Sequence, residues 1–108
     1  IQMVVWGFFI PTAFCYQVTF CVNSLAHIFG RRRFETDDDS RNIAWLALLT
    51  NGEGWHNNHH RFPSSEKHGI MWWELDITHY ILRGLEAFGV VWGLRTHRAP
   101  STTLEPAR

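Results

Sequence analysis

IQMVVWGFFIPTAFCYQVTFCV, residues 1–22, carries no charged side chain, and the first Asp, Glu, Lys or Arg of the chain is Arg31. At roughly 1.5 Å of rise per residue, such a run is long enough as a helix to cross a hydrocarbon core of about 30 Å. It predicts a transmembrane helix, and with it an all-α, integral-membrane helical protein. Pro11 lies mid-run and predicts a kink, while Gln2, Thr12, Gln17 and Thr19 should face protein rather than lipid. The competing reading is a buried helix of a soluble protein, which the uncharged length disfavours. No basic stretch precedes the run and no small-residue cleavage site follows it, so it reads as a retained span rather than a signal peptide.

The whole-chain mean hydropathy of -0.17 hides this segregation. Because the chain opens inside the apolar run, it reads as the C-terminal fragment of a longer protein. Ten acidic and ten basic residues cancel, so no global field argues for nucleic acid or an acidic partner. Cys15 and Cys21 fall on different sides of a helix, which predicts two free thiols buried in lipid rather than a disulfide.

Working outward, the chain divides into four segments. Residues 1–30 form the span. Residues 31–69 form a cytoplasmic loop and a histidine-rich region; RRRFETDDDSR reads as solvated, with Arg31, Arg32 and Arg33 placing it on the cytoplasmic side by the positive-inside rule. From Asn42 the pattern is helical up to a break at Gly52 and Gly54, and Pro63 ends the histidine stretch. Ser64 and Ser65 are candidate caps for a long helix over Ile70–Leu94, assigned to residues 70–95, which lies in the interface or packs on other helices. Asp76, His79, Arg83 and Glu86 fall in one stripe of that helix, predicted to be its wet edge. Residues 96–108 are predicted to be a disordered tail.

His56, His59 and His60 stand as H-x-x-H-H, and helix positions 0, 3 and 4 span about 60° of arc, so all three can face one metal centre. Imidazole suits iron, zinc, copper and nickel alike. A zinc hydrolase of the H-E-x-x-H kind needs a Glu where Asn57 stands, so its general base is missing. Asn23 and His27, in NSLAH at the end of the span, share a helix face. His27 alone reads as an interfacial polar cap; with three more imidazoles on the same side of the membrane it reads as a ligand.

NSLAHIFG at 23–30, followed by RNIAWLALLTNGEGWHNNHHRFP at 41–63, resembles the membrane fatty acyl-CoA desaturases of the stearoyl-CoA, Δ9 type. GEGWHNNHH, residues 52–60, is similar throughout to that family's last histidine box. The resemblance covers roughly residues 10 to 95. It implies that His27, His56, His59 and His60 are iron ligands, and that Asn23 reaches an iron through a water molecule. It also implies two iron ions, O2 as oxidant, a fatty acyl-CoA substrate, contact with membrane lipid and an external electron carrier or reductase. Thr19 and Phe20 fall where the family lines the bend of an acyl tunnel, although Thr19 reads equally as a hydroxyl bonded back to its own helix. Iron is chemically coherent, because removing two hydrogens from an alkyl chain needs an oxidant made from dioxygen and zinc is redox-inert.

Glu53 is either an acceptor that orients a ligand imidazole or a member of its own loop's hydrogen bonds; Asp76 is more simply a solvent-facing residue. His68, His79 and His97 are expected to lie outside the site, and Trp45 and Trp55 read as interfacial aromatics. The resemblance further implies that other histidine boxes precede Ile1, so the fragment alone should not turn over. The rival functions are an acyl-lipid desaturase or a fatty-acid hydroxylase with the same chemistry, and a non-catalytic, membrane-anchored metal-binding remnant.

Overall fold

The computed structural model describes residues 1–97; the predicted tail lies outside them from residue 98 onward. The described residues are helical, with isolated antiparallel bridges and no strand. Helix α1 runs over Gln2–Ile28. It is followed by two short helices, α2 (Ala44–Leu49) and α3 (His56–Arg61), and by α4 (Ile77–Ala87).

In α1 the expected effect of Pro11 takes the form of a widened turn. Val5–Phe9 is π-helical, and the Ile10 N–H donates to the Val5 carbonyl. Proline has no N–H, and its ring crowds the carbonyl four residues back, so opening the preceding turn relieves both problems. The apolar side chains of α1 stand uncovered along its length, Trp6, Phe8, Phe14 and Phe20 among them. By length and composition the helix can cross a membrane. Cys15 and Cys21 are free thiols on its exposed surface.

Among the described residues, α1 packs on the rest of the chain at its end. Val22 and Ala26, with Leu25 beside them, pack on Ile43 and Leu46 to form a small core. Gly30 reverses the chain with φ +107°, and a side chain there would collide with the Asn42 carbonyl, at 2.5 Å, so the close approach requires glycine. Arg31 and Asn42 exchange backbone hydrogen bonds of 3.0 and 2.9 Å, and the Arg41 N–H donates to the Ala26 carbonyl at 2.7 Å.

The 31–41 segment is not the solvated loop its charges predict. Ser40 is fully buried, and Arg33 pairs at 2.7 Å with a Glu74 side chain that is itself fully buried. Charge composition could not show this, because the partners of Arg33 lie far along the chain.

The long helix expected over Ile70–Leu94 is confined to Ile77–Ala87. Two buried carboxylates account for the late start. Glu74 Oε2 accepts from the Ile70 and Met71 N–H groups at 2.7 and 3.0 Å. Asp76 Oδ2 accepts from the His68 N–H at 2.6 Å, and its Oδ1 caps α4 through the His79 N–H at 3.0 Å. Asp76 is therefore a buried N-cap, not a solvent-facing residue, and it does the capping expected of Ser64 and Ser65. At the far end Gly89, with φ +71°, lets the Gly89 and Val90 N–H groups reach back to Glu86 and Leu85 and terminates the helix.

The first residues of the expected tail are tied down. Ser65 and His97 are hydrogen-bonded, and the His97 ring stacks on Phe62 with centroids 4.9 Å apart.

Candidate metal centre

The two glycines of GEG have separate steric reasons. A side chain at Gly54 would collide with the backbone of Ala47, and one at Gly52, where φ is +121°, would collide with the Asp76 carboxylate. This tight turn delivers the chain into α3, whose first N–H groups find no cap on Trp55. Asn42 caps them from a distance: its Oδ1 accepts from the Asn57 and Asn58 N–H groups at 3.0 and 3.2 Å. Trp55 is buried with its indole N–H on the Leu75 carbonyl at 2.8 Å, a structural role rather than an interfacial one, while Trp45 is exposed.

At 100° per residue, Asn57 and Asn58 fall on the side of α3 opposite the histidines. Both are buried. Asn57 Oδ1 accepts from the Arg33 and Phe34 N–H groups at 2.8 Å each, and its Nδ2 donates to the Phe34 carbonyl at 3.0 Å. Asn58 bridges Asn42, the His68 carbonyl and Glu74 at 2.8–3.0 Å. Two amides thus fix the back of the helix so that its front can present imidazoles.

On that front, His27 from the end of α1 joins His56 and His60. One nitrogen from each of the three lies within 4.8 Å of the other two, a grouping that could hold a metal ion. The Nε2 atoms of His56 and His60 stand 3.0 Å apart. Two imidazole nitrogens bound cis to one ion at roughly 2.0–2.1 Å would be separated by about 3 Å, so the spacing fits a shared metal. His27 directs its Nδ1 onto the Asn23 carbonyl at 2.6 Å, which leaves Nε2 for the cluster. His56 Nδ1, the ring nitrogen outside that pair, is buried without a hydrogen-bond partner.

His59 departs from the expectation that all three box histidines face one centre. It is not in the His27–His56–His60 group, and its ring instead lies 4.5 Å from that of His68. Its Nδ1 is also buried and unpartnered. Burial, reinforced by the neighbouring His60, His27 and His59, pushes His56 down to about 4; burial and then His68 and His60 lower His59. His56 is thus neutral at neutral pH and carries the lone pair that a metal requires.

The remaining expected residues are less converged. Asn23 is exposed, and its backbone rather than its side chain touches His27. The Thr19 hydroxyl donates to the Cys15 carbonyl at 2.9 Å, a bond back to its own helix. Phe20 is exposed and stacks on Tyr16. The Glu53 carboxylate stands 3.9 Å from His68 Nδ1, and the Glu53 N–H donates to the Thr50 carbonyl within its own loop at 3.3 Å. His79 pairs with Glu66 at 2.9 Å, clear of the cluster.

Asp38 is the contact that the sequence did not disclose. Its carboxylate meets His60 Nδ1. Burial alone would raise this carboxyl, but hydrogen bonds from Ser40, His60 and Thr36 outweigh it and hold the group well below the usual carboxylate range.

A family model described as fatty acid desaturase matches residues 1–95. The chain belongs to the fatty acid desaturase family. This desaturase segment is 52% identical over 88 residues to a probable chloroplastic lipid desaturase of Arabidopsis thaliana, covering 82% of this chain and 24% of that protein. It is 47% identical over 87 residues to the sn-1 stearoyl-lipid 9-desaturase of Synechocystis, covering 81% and 27%. With the icosanoyl-CoA 5-desaturase of Limnanthes douglasii it shares 46% identity over 87 residues, covering 81% and 24%. The chain thus spans about a quarter of the length of these curated relatives.

Proposed function

We propose that the protein containing this chain inserts a cis double bond into a saturated fatty acyl chain, using O2 and a histidine-ligated pair of iron ions. The observation that carries this reading is the convergence of His27, His56 and His60 in a chain of the desaturase family. In this proposal those three imidazoles hold one ion, His59 turns to the second, and Asn23 reaches the metal through water. The remaining ligands come from elsewhere in the protein. When bound, the iron pair supplies the dioxygen-derived oxidant; the alkyl chain, O2, two electrons and two protons become an alkene and two waters.

The chain's own contribution is placement. Burial keeps His56 neutral, Asn57 and Asn58 fix the helix that carries three of the imidazoles, and α1 brings His27 from the membrane side. If Thr19 and Phe20 line the acyl tunnel, Thr19 presents its methyl there, because its hydroxyl is bonded to its own helix. Arg31 and Arg32 favour a cytoplasmic site, and the electrons come from an external carrier or reductase.

The carrier of the acyl group has two readings. Relatives at 52% and 47% identity are named as lipid desaturases, which favours an acyl lipid; the relative at 46% is named for an acyl-CoA and supports an acyl-CoA substrate. The deciding assay gives the complete gene product reductant, O2 and either stearoyl-CoA or a stearoyl glycerolipid, and identifies products by mass spectrometry. A monounsaturated product from either supports desaturation and names the carrier. A hydroxylated product would assign the hydroxylase, and an iron-loaded protein inert on both would leave the metal-binding remnant.

Asn23→Ala should lower the rate only about tenfold or less and leave the iron content near wild type, because a water-mediated contact is partly replaceable. Total loss of iron would make Asn23 a direct ligand, while an unchanged rate would reduce it to part of the helix end.

A further inference from the structure

One carboxylate from the run of three aspartates reaches the histidine cluster. Asp38 uses its two oxygens for different tasks. Oδ1 closes its own loop, accepting from the Ser40 N–H at 2.9 Å and the Thr36 hydroxyl at 3.1 Å. Oδ2 meets His60 Nδ1. An ionised carboxylate only accepts, so the hydrogen in that contact sits on His60 Nδ1. The lone pair of the neutral ring is then on Nε2, the atom that stands 3.0 Å from His56 Nε2.

We propose that Asp38 is a positioning residue, fixing the tautomer and rotation of His60 so that Nε2 is offered to an ion shared with His27 and His56. This rests on the reading of the cluster as a metal centre. A carboxylate behind a ligating imidazole also makes the opposite nitrogen more basic and strengthens its bond to the metal. Among the three imidazoles Asp38 serves only His60: His27 has a backbone carbonyl behind it, and His56 Nδ1 has no partner.

The loop is built for this placement. Asn57, three residues before His60, takes the N–H groups of Arg33 and Phe34, and its Nδ2 lies 3.4 Å from both the Thr36 and Ser40 hydroxyls. The helix that carries His60 therefore anchors the loop that aims it. The neighbouring Asp39 does not share the task; it is exposed and pairs with Arg32 at 3.5 Å.

The test uses the purified complete gene product, with iron stoichiometry and Mössbauer spectra as readouts. Asp38→Asn is the decisive variant. Its amide oxygen can keep the Ser40 and Thr36 contacts, while its amide N–H groups, turned to His60 Nδ1, impose the opposite tautomer. The expected result is a 10–100-fold weaker hold on one of the two irons, read as loss of about half the iron to a mild chelator and a change in one Mössbauer component. Asp38→Glu should restore part of both readouts, and Asp39→Asn should match wild type. In a His60→Ala background, Asp38→Asn should cause no further loss of iron. An equal loss in both backgrounds would assign Asp38 to the loop alone. Two irons with an unaltered spectrum in Asp38→Asn would overturn its positioning role while leaving the metal reading intact. A wild-type protein without iron would overturn both.

Discussion

Replacing His56 by Ala in the complete gene product should abolish desaturation and remove one iron per protein. His56 is the centre of the cluster: its ring centroid lies 5.0 Å from that of His27 and 4.3 Å from that of His60. It is also the one member of the trio that is buried. Without it, this chain offers the ion only two imidazoles, on different helices, and the space it filled opens to water. Loss of a group that merely supports a ligand costs about 10–100-fold in affinity or activity, so loss of a central ligand should exceed 100-fold. Mass spectrometry of the product and iron analysis of the purified variant measure both effects. A variant that kept iron and more than a tenth of the rate would remove His56 from the ligand set. His59→Ala offers a contrast, since it should release iron while sparing the His27–His56–His60 ion.

The sequence disclosed the parts of this site governed by local periodicity. An uncharged run at 1–22 gave the long helix, and H-x-x-H-H placed three imidazoles on one arc. The same 100° spacing also puts Asn57 and Asn58 on the opposite arc, a usable signal for a buried polar back face. What remained illegible depends on contacts across long stretches of chain. Asp38 lies between two other aspartates, and nothing local separates the one that meets His60 from the two that are exposed. Arg33 and Glu74 illustrate the same limit from opposite sides, because each alone reads as an exposed charge. The split between His59 and its neighbours follows from which flank of α3 meets α1, a matter of packing. The shortened α4 was more accessible: Asp76 three residues before His79 is an N-cap spacing, and Gly89 is a C-terminal stop.

Asn57→Ala should damage the protein nearly as severely by a different route, acting on structure before chemistry. The side chain is fully buried. Its removal strands the N–H groups of Arg33 and Phe34 and the carbonyl of Phe34. These groups are half-buried, so each left without a partner costs at most about 1–3 kcal/mol if the loop stays in place, less where water reaches it. Much of that is avoided by letting the loop detach and hydrate, and detachment carries Asp38 away from His60. The expected result is therefore a thermal transition lowered by roughly several degrees, with weakened retention of one iron. Thr36→Ala removes a weaker contact to Asn57 and the hydroxyl's own bonds to Asp38 and Ser40, but leaves the Arg33 and Phe34 bonds to Asn57 in place, and should shift the transition less. A thermal scan in detergent paired with iron analysis distinguishes these outcomes. Wild-type melting together with wild-type iron in Asn57→Ala would mean that the loop holds to α3 by some other contact, most directly the pairing of Arg33 with Glu74.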